Sequence, residues 1–227
     1  MILQGTILNV VTVLIGSAIG TLAGSRMNAR LTQAAFRAIG LFTLLLGISM
    51  ALQTREFLLL AFSCIAGSIV GEALDFDSAF RRLGERVKAR IRIGGERFSE
   101  GMVTAFLLFC MGSMTVVGSI SEGMGGSSEL LYTKALMDGV AAAMLASALG
   151  AGVAFSVVPL AVYQGGLTIL AFSAGQSIPD QVVLEISAAG GILLIGLGIE
   201  LLGIRQIKAA NMLPALVFAG IGAAVLR

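Results

Sequence analysis

The sequence predicts an all-α polytopic membrane protein of eight transmembrane helices, and three observations predict it. Hydrophobic residues make up 57% of the chain and charged residues 12%, whereas a soluble domain carries about a quarter charged residues to cover its watery surface. Mean hydropathy is +0.97. The charges are also clustered, so that they cut the chain into apolar runs close to the ~20 residues that cross a hydrocarbon core. Finally, the basic residues fall on alternate connections. The 227 residues suit a single membrane domain, 1–227.

The first run, Met1 to Ser25, carries no charge. It has no basic leader and outlasts a signal-peptide core, so it reads as a retained first span. Arg37 and Arg55 bound the second span, and Glu56 and Glu72 bound a third of only 15 residues. From Glu72 to Glu100 charges crowd into a connection. The fourth span lies between Glu100 and Glu122 and ends in the glycine-rich stretch Ser121–Ser128, which reads as a loop. Asp138 and Asp180 enclose 41 uncharged residues, too long for one helix and right for two, spans five and six. The expected joint is Val157–Val158–Pro159, because the residue before a proline tends to leave the helical region. Span seven runs from about Ile186 to Ile204, and span eight from Met212 to Leu226.

With eight spans both termini share one side. The first, third, fifth and seventh connections hold 12 basic residues, and the other side holds only Arg55, Lys134 and Arg227. By the positive-inside rule the richer face is cytoplasmic and both termini lie outside.

The spans carry a candidate repeat. Gly40, Gly47 and Ile48 of span two match Gly191, Gly198 and Ile199 of span seven, Gln4-Gly5 matches Gln164-Gly165, and Ala66-Gly67 matches Ala219-Gly220. Spans one to three and six to eight begin on opposite sides, so the match would be an inverted repeat, a pattern common among transporters. Such residues also coincide by chance in apolar sequence. Small residues recur at helical spacing as Gly16, Gly20 and Gly24, as Gly67 and Gly71, and as Gly139, Ala143, Ser147 and Ala151. They let backbones approach closely, for packing within the chain, for a homo-oligomer or along a substrate path.

Within the 72–100 connection, Phe76, Phe80, Leu83, Val87 and Ile91 recur at three- and four-residue steps. Asp75 and Asp77 stand ready to cap the start, and Arg81, Arg82, Arg86, Lys88 and Arg90 take the other faces. This is an amphipathic helix suited to the cytoplasmic interface, with membrane lipids as its partner. Glu85 and Glu96 interrupt the basic run and no aromatic platform accompanies it, which argues against nucleic acid.

Catalysis lacks its usual parts. The chain has no histidine, no paired cysteine spacing and no phosphate loop, and Cys64 and Cys110 sit in apolar spans. No enzyme activity and no cofactor are expected, and no metal-ligand set stands out. Polar groups inside spans are costly unless they find a partner, a cavity or an ion. Candidates for a substrate or ion path are Asn9, Gly112, Ser113, Thr115, Gln164, Thr168 and Glu200, with Glu122 and Asp138 at the outer ends of spans four and five. Glu200 also lies about one turn from Arg205, with which it can simply pair. Glycines flanked by hydroxyls at Gly112-Ser113-Met114-Thr115 call for a bend or break in span four.

Taken together, Gly5-Thr6-x-x-Asn9, Phe109-Cys110-x-Gly112-x-Met114 with Gly118-Ser119-Ile120, Lys134-x-x-x-Asp138-Gly139 and Tyr163-Gln164-Gly165 resemble the YqgA/YdfK-like bacterial inner-membrane family of unknown function. The resemblance covers nearly the whole chain. It implies a multi-pass protein of the bacterial inner membrane and transport, without a substrate or a site residue. The expected function is therefore a small secondary transporter or channel for a cation or small polar solute, crossing where spans one, four, five and six meet. The rival is a non-transporting scaffold or sensor that binds lipid or a partner.

Overall fold

The computed structural model describes residues 2–24, 29–91, 97–110, 113–174 and 179–226. All secondary structure among the described residues is helical: α1 (Gln4–Gly24), α2 (Ala29–Ala51), α3 (Phe57–Leu74), α4 (Phe76–Ile91), α5 (Phe98–Cys110), α6 (Ser113–Gly123), α7 (Glu129–Leu149), α8 (Gly152–Phe155), α9 (Val157–Ala174), α10 (Asp180–Leu201) and α11 (Pro214–Val225), with a 3-10 turn at Ala209–Met212. Among the described residues five helical stretches are long and apolar enough to cross a membrane, or six where α5 and α6, which meet at 64°, are counted as one bent span. Arg37–Ala51 and Ala209–Val225 are shorter apolar helices. Large apolar side chains such as Ile15, Leu45, Phe62 and Ile221 stand exposed, an arrangement that lipid tolerates and water penalises.

The helices group into two compact units. The first contains α1 and α5 to α9. Its most extensive contact is α1 along α7. Gly16, Gly20 and Gly24 face Gly139, Ala143 and Ser147 in constant register, so the two helices run parallel. A Cβ on any of the three glycines would strike the carbonyl oxygen of the residue opposite. The small-residue stripes of spans one and five are thus consumed by each other, the close approach that small residues permit. At the centre of this unit α5 is nearly all buried, with Phe98 tilted against Phe155 at 5.2 Å between ring centroids.

The second unit contains the apolar part of α2 with α3, α10 and α11. Helix α2 runs antiparallel to α10, Gly40 meeting Gly198 and Gly47 meeting Gly191. Helix α3 runs antiparallel to α11 and the turn before it, Gly67 meeting Ala215 and Gly71 meeting Asn211. Polar bonds, from buried to exposed, hold its loops. The Glu185 carboxylate accepts hydrogen bonds from the Thr54 hydroxyl at 2.6 Å and the Arg55 N–H at 2.9 Å. Glu72 accepts from Asn211 Nδ2 at 2.6 Å and from Lys208 Nζ at 3.2 Å. The Glu72 carboxylate raises the Lys208 pKa, by hydrogen bond and by charge, so this ion pair is present at neutral pH and is lost as alkali passes the raised value or as acid protonates the carboxylate.

Two expectations need correction. The joint between spans five and six is Gly150, not Val157–Pro159. Gly150 takes φ 76°, open to glycine at no steric cost, while Pro159 sits in the first turn of α9, where its missing N–H is no loss. Span three is longer than its bounding charges implied, because α3 carries Glu72 inside its last turn and reaches 18 residues. Asp75 ends α3 in left-handed conformation at φ 53°, with its N–H bonded to Gly71 O at 2.8 Å, and its carbonyl accepts the Ala79 N–H of α4 at 3.0 Å. The amphipathic helix spans Phe76–Ile91, as the periodicity requires, with Arg82 and Arg86 exposed. The side chains of Phe80, Arg81, Leu83, Val87, Lys88, Arg90 and Ile91 lie outside the described residues.

Candidate functional site

Three helices of the first unit bring one polar cluster together. Asn9 lies in the second turn of α1, fully buried, on the face that carries Gly5 and Gly16 toward α7. Its amide nitrogen donates to Asp138 Oδ2 of α7 at 2.9 Å and to Gln164 Oε1 of α9 at 2.9 Å. Gln164 Nε2 in turn donates to Thr6 Oγ1 at 3.3 Å. These bonds fix which way both amides point, since each nitrogen faces an acceptor. Asp138 Oδ2 also receives Lys134 Nζ, one turn earlier on α7, in a close ion pair. Lys134 is 5% exposed and Asp138 9%. Among the described residues Asn9 Oδ1 is buried without a partner.

Asp138 lies about 14 Å along α7 from its start, at ~1.5 Å per residue, well inside a hydrocarbon core of about 30 Å. Charges at that depth are expensive, and an ion pair with hydrogen bonds to its remaining valences is the arrangement that offsets the cost. Beside the cluster, between α1 and α9, a groove of about 460 Å³ is lined by Leu3, Thr6, Ile7, Gly165 and other mostly apolar residues.

The other expected site residues divide sharply. Thr168 is buried and donates to the Gln164 carbonyl at 3.1 Å, so it braces the helix that carries Gln164. Thr115 is buried and donates to the Phe109 carbonyl at 3.0 Å. It thereby satisfies a carbonyl freed where α5 ends, and the break in span four falls where the glycines and hydroxyls placed it. Gly112 lies outside the described residues, as does the side chain of Ser113.

Glu122 is not at an open mouth. It is 4% exposed, and its Oε1 accepts the Gly5 N–H at 2.8 Å and the Ser128 hydroxyl at 2.9 Å. The carboxylate therefore caps the N-terminus of α1, where a negative charge complements the helix dipole. Glu200 belongs to the second unit and accepts the backbone N–H groups of Ile207, at 2.7 Å, and Lys208. It fastens a loop and does not pair with Arg205, because backbone donors reach it first.

Sequence reasoning missed two buried charges. Lys134 had been counted as an external basic residue, although its four-residue spacing to Asp138 is the signal of an intrahelical ion pair. Glu185, fully buried, carried no signal beyond being an acid near an apolar run. Cys110 is buried and Cys64 half-buried, both as free thiols. Among the described residues no group of three or more Cys, Asp or Glu converges as metal ligands.

Residues 4–224 match the family model described as "Protein of unknown function (DUF554)". The chain belongs to this family. It is 29% identical to "Uncharacterized membrane protein YdfK" of Bacillus subtilis (strain 168), over 93% of this chain and 92% of the relative. It is 28% identical to "Uncharacterized protein YqgA" of Escherichia coli (strain K12), over 95% of this chain and 94% of the relative. No solved structure matches it. These are the proteins that the motifs around Asn9, Gly112, Asp138 and Gln164 resemble. The DUF554 description assigns no activity, so roles for these residues rest on the geometry alone.

Proposed function

We propose that this DUF554 protein is a small secondary transporter or channel for a cation or small polar solute, with its site at the Asn9–Lys134–Asp138–Gln164 cluster. One observation carries the reading: a buried ion pair, bound to two amides, sits inside helices long enough to cross a membrane. Intramembrane ionisable groups are costly and mark substrate, ion or proton paths. A purely structural scaffold would gain as much from apolar packing there. No enzymatic step belongs to this proposal.

The finer architecture is part of it. Eight spans, the two short apolar helices included, give α1 and α7 the same direction and set α2 against α10 and α3 against α11. The packed pairs have those directions. The inverted repeat equates Gly40 with Gly191 and Gly47 with Gly198. Its twofold axis would then pair Gly40 with Gly198 and Gly47 with Gly191, and the contacts of α2 with α10 support it. The basic-residue asymmetry supports a bacterial inner membrane with both termini outside. Helix α4 would lie on the cytoplasmic surface, with Arg82 and Arg86 free to meet anionic headgroups. A homo-oligomer would have to use other faces than the glycine stripes, which α1 and α7 fill mutually.

The test is flux in proteoliposomes. Asp138→Asn and Gln164→Ala are expected to reach the membrane folded and to abolish any flux the parent supports. Transport by both variants at the parent rate would overturn the proposal.

A further inference from the structure

The hydrogen-bond inventory of the cluster is lopsided, and the imbalance identifies what it is built to hold. Both hydrogens of Asn9 Nδ2 are engaged, one by Asp138 and one by Gln164. Gln164 Oε1 is taken by Asn9, and its nitrogen is directed to Thr6. What is left over at Asn9 and Asp138 is acceptor capacity, while the spare donors of the cluster are the second Gln164 Nε2 hydrogen and the remaining hydrogens of the Lys134 ammonium itself. Asn9 Oδ1 is buried and unpartnered among the described residues, and Asn9 Nδ2 and Lys134 Nζ both donate to Oδ2 of Asp138. Carboxylates and amide oxygens accept and never donate when ionised or neutral, respectively. These unused acceptors therefore call for a donor or a cation, and an anion would find none of them complementary.

The charge of the occupant follows from the charge of its surroundings. The cluster contains one carboxylate, two neutral amides and one hydroxyl besides Lys134. A single positive charge neutralises Asp138, whereas a divalent ion would leave a buried excess charge, which is heavily penalised away from water. The Lys134 ammonium already supplies that single charge, and it comes from the same helix on a flexible four-carbon stem. We propose that Lys134 is a tethered occupant of a monovalent-cation seat at Asp138, in which the unpartnered Asn9 Oδ1 is the spare ligand, and that the transported species is a cation no larger than a primary ammonium, which replaces the Lys134 head group on Asp138. This rests on the transport reading above and names its substrate class. It also explains why an ion pair is kept where apolar packing would serve stability as well: the pair can be exchanged.

Removing the tether should open the seat to a cation from solution. The full-length Lys134→Met variant, purified in detergent, leaves Asp138 buried without its counter-charge and is expected to melt well below the parent or to be recovered poorly. Methylammonium chloride should raise its melting temperature or its folded yield saturably, as a ligand specific for the folded state does. Choline chloride at equal ionic strength, too bulky for the seat, should not. The parent, whose seat is filled by its own lysine, should respond far less, and Lys134→Met/Asp138→Asn should lose the response. No recovery with methylammonium, equal recovery with choline, or a response that survives in the double variant would overturn the inference. The measurement involves no flux. Rescue in a protein that transports nothing would sink only the transport reading, and loss of flux in Asp138→Asn without rescue of Lys134→Met would sink only this one.

Discussion

Asn9 is the residue on which the cluster depends, because a single amide joins three helices. Its nitrogen ties α1 to Asp138 on α7 and to Gln164 on α9. Asn9→Leu would keep the branched shape of the side chain and leave a carboxylate and an amide oxygen each short of a donor, at about 1–3 kcal/mol for each buried group. Glu185 is a comparable single point in the other unit. Glu185→Leu would remove both acceptor oxygens and leave the Thr54 hydroxyl and the Arg55 N–H without their partner. We expect it to lower stability by about 1–3 kcal/mol, seen as an earlier thermal transition in detergent, whereas an unchanged transition would show that the loop does not depend on this acid. At this scale the sequence was legible where a polar residue stood alone in an apolar run, as Asn9 and Gln164 do. It was illegible where a charge stood near a span end. Glu122 looked like a residue facing water, and its partner Gly5 is 117 positions away, a distance that no local pattern reports.

At the scale of elements, glycine spacing decided the packing. The stripes Gly16-Gly20-Gly24 and Gly139-Ala143-Ser147 were readable as faces that touch something, and the structure shows them touching each other. Gly20→Ala would place a Cβ against the Ala143 carbonyl, which belongs to a helix backbone and cannot give. Overpacking of this kind costs about 1–3 kcal/mol. Gly166→Ala on α9 meets nothing within 4 Å and should be neutral or stabilise by up to about 1 kcal/mol through helix propensity. Thermal unfolding of the two variants side by side would separate close packing from mere glycine content. The break between α5 and α6 was legible because glycines and hydroxyls coincide there. The joint at Gly150 was not, because the proline rule pointed to Pro159, and a proline in a first helical turn obeys a different constraint from one in a helix interior.

At the scale of the whole molecule, the charge map was the informative signal. The long charge-free runs became helices, some of them broken in two or three, but hydropathy does not measure helix length. Helix α3 extends past Glu72 because Asn211 and Lys208 accommodate that carboxylate. Orientation follows from the same map: a reporter active only in the periplasm should work when fused after Arg227 and fail when fused near Arg86. A cytoplasmic C-terminus would contradict the eight-span topology.

The central claim is that Asp138 and Asn9 form a cation seat that Lys134 occupies from within. It is tested most directly by an experimental structure of the Lys134→Met variant soaked in a rubidium salt, read by the anomalous signal of the ion. The account predicts a rubidium peak in contact with the Asp138 carboxylate and Asn9 Oδ1. A well-ordered site in which Asp138 and Asn9 carry no such peak, with neighbouring side chains closed over them, would contradict it.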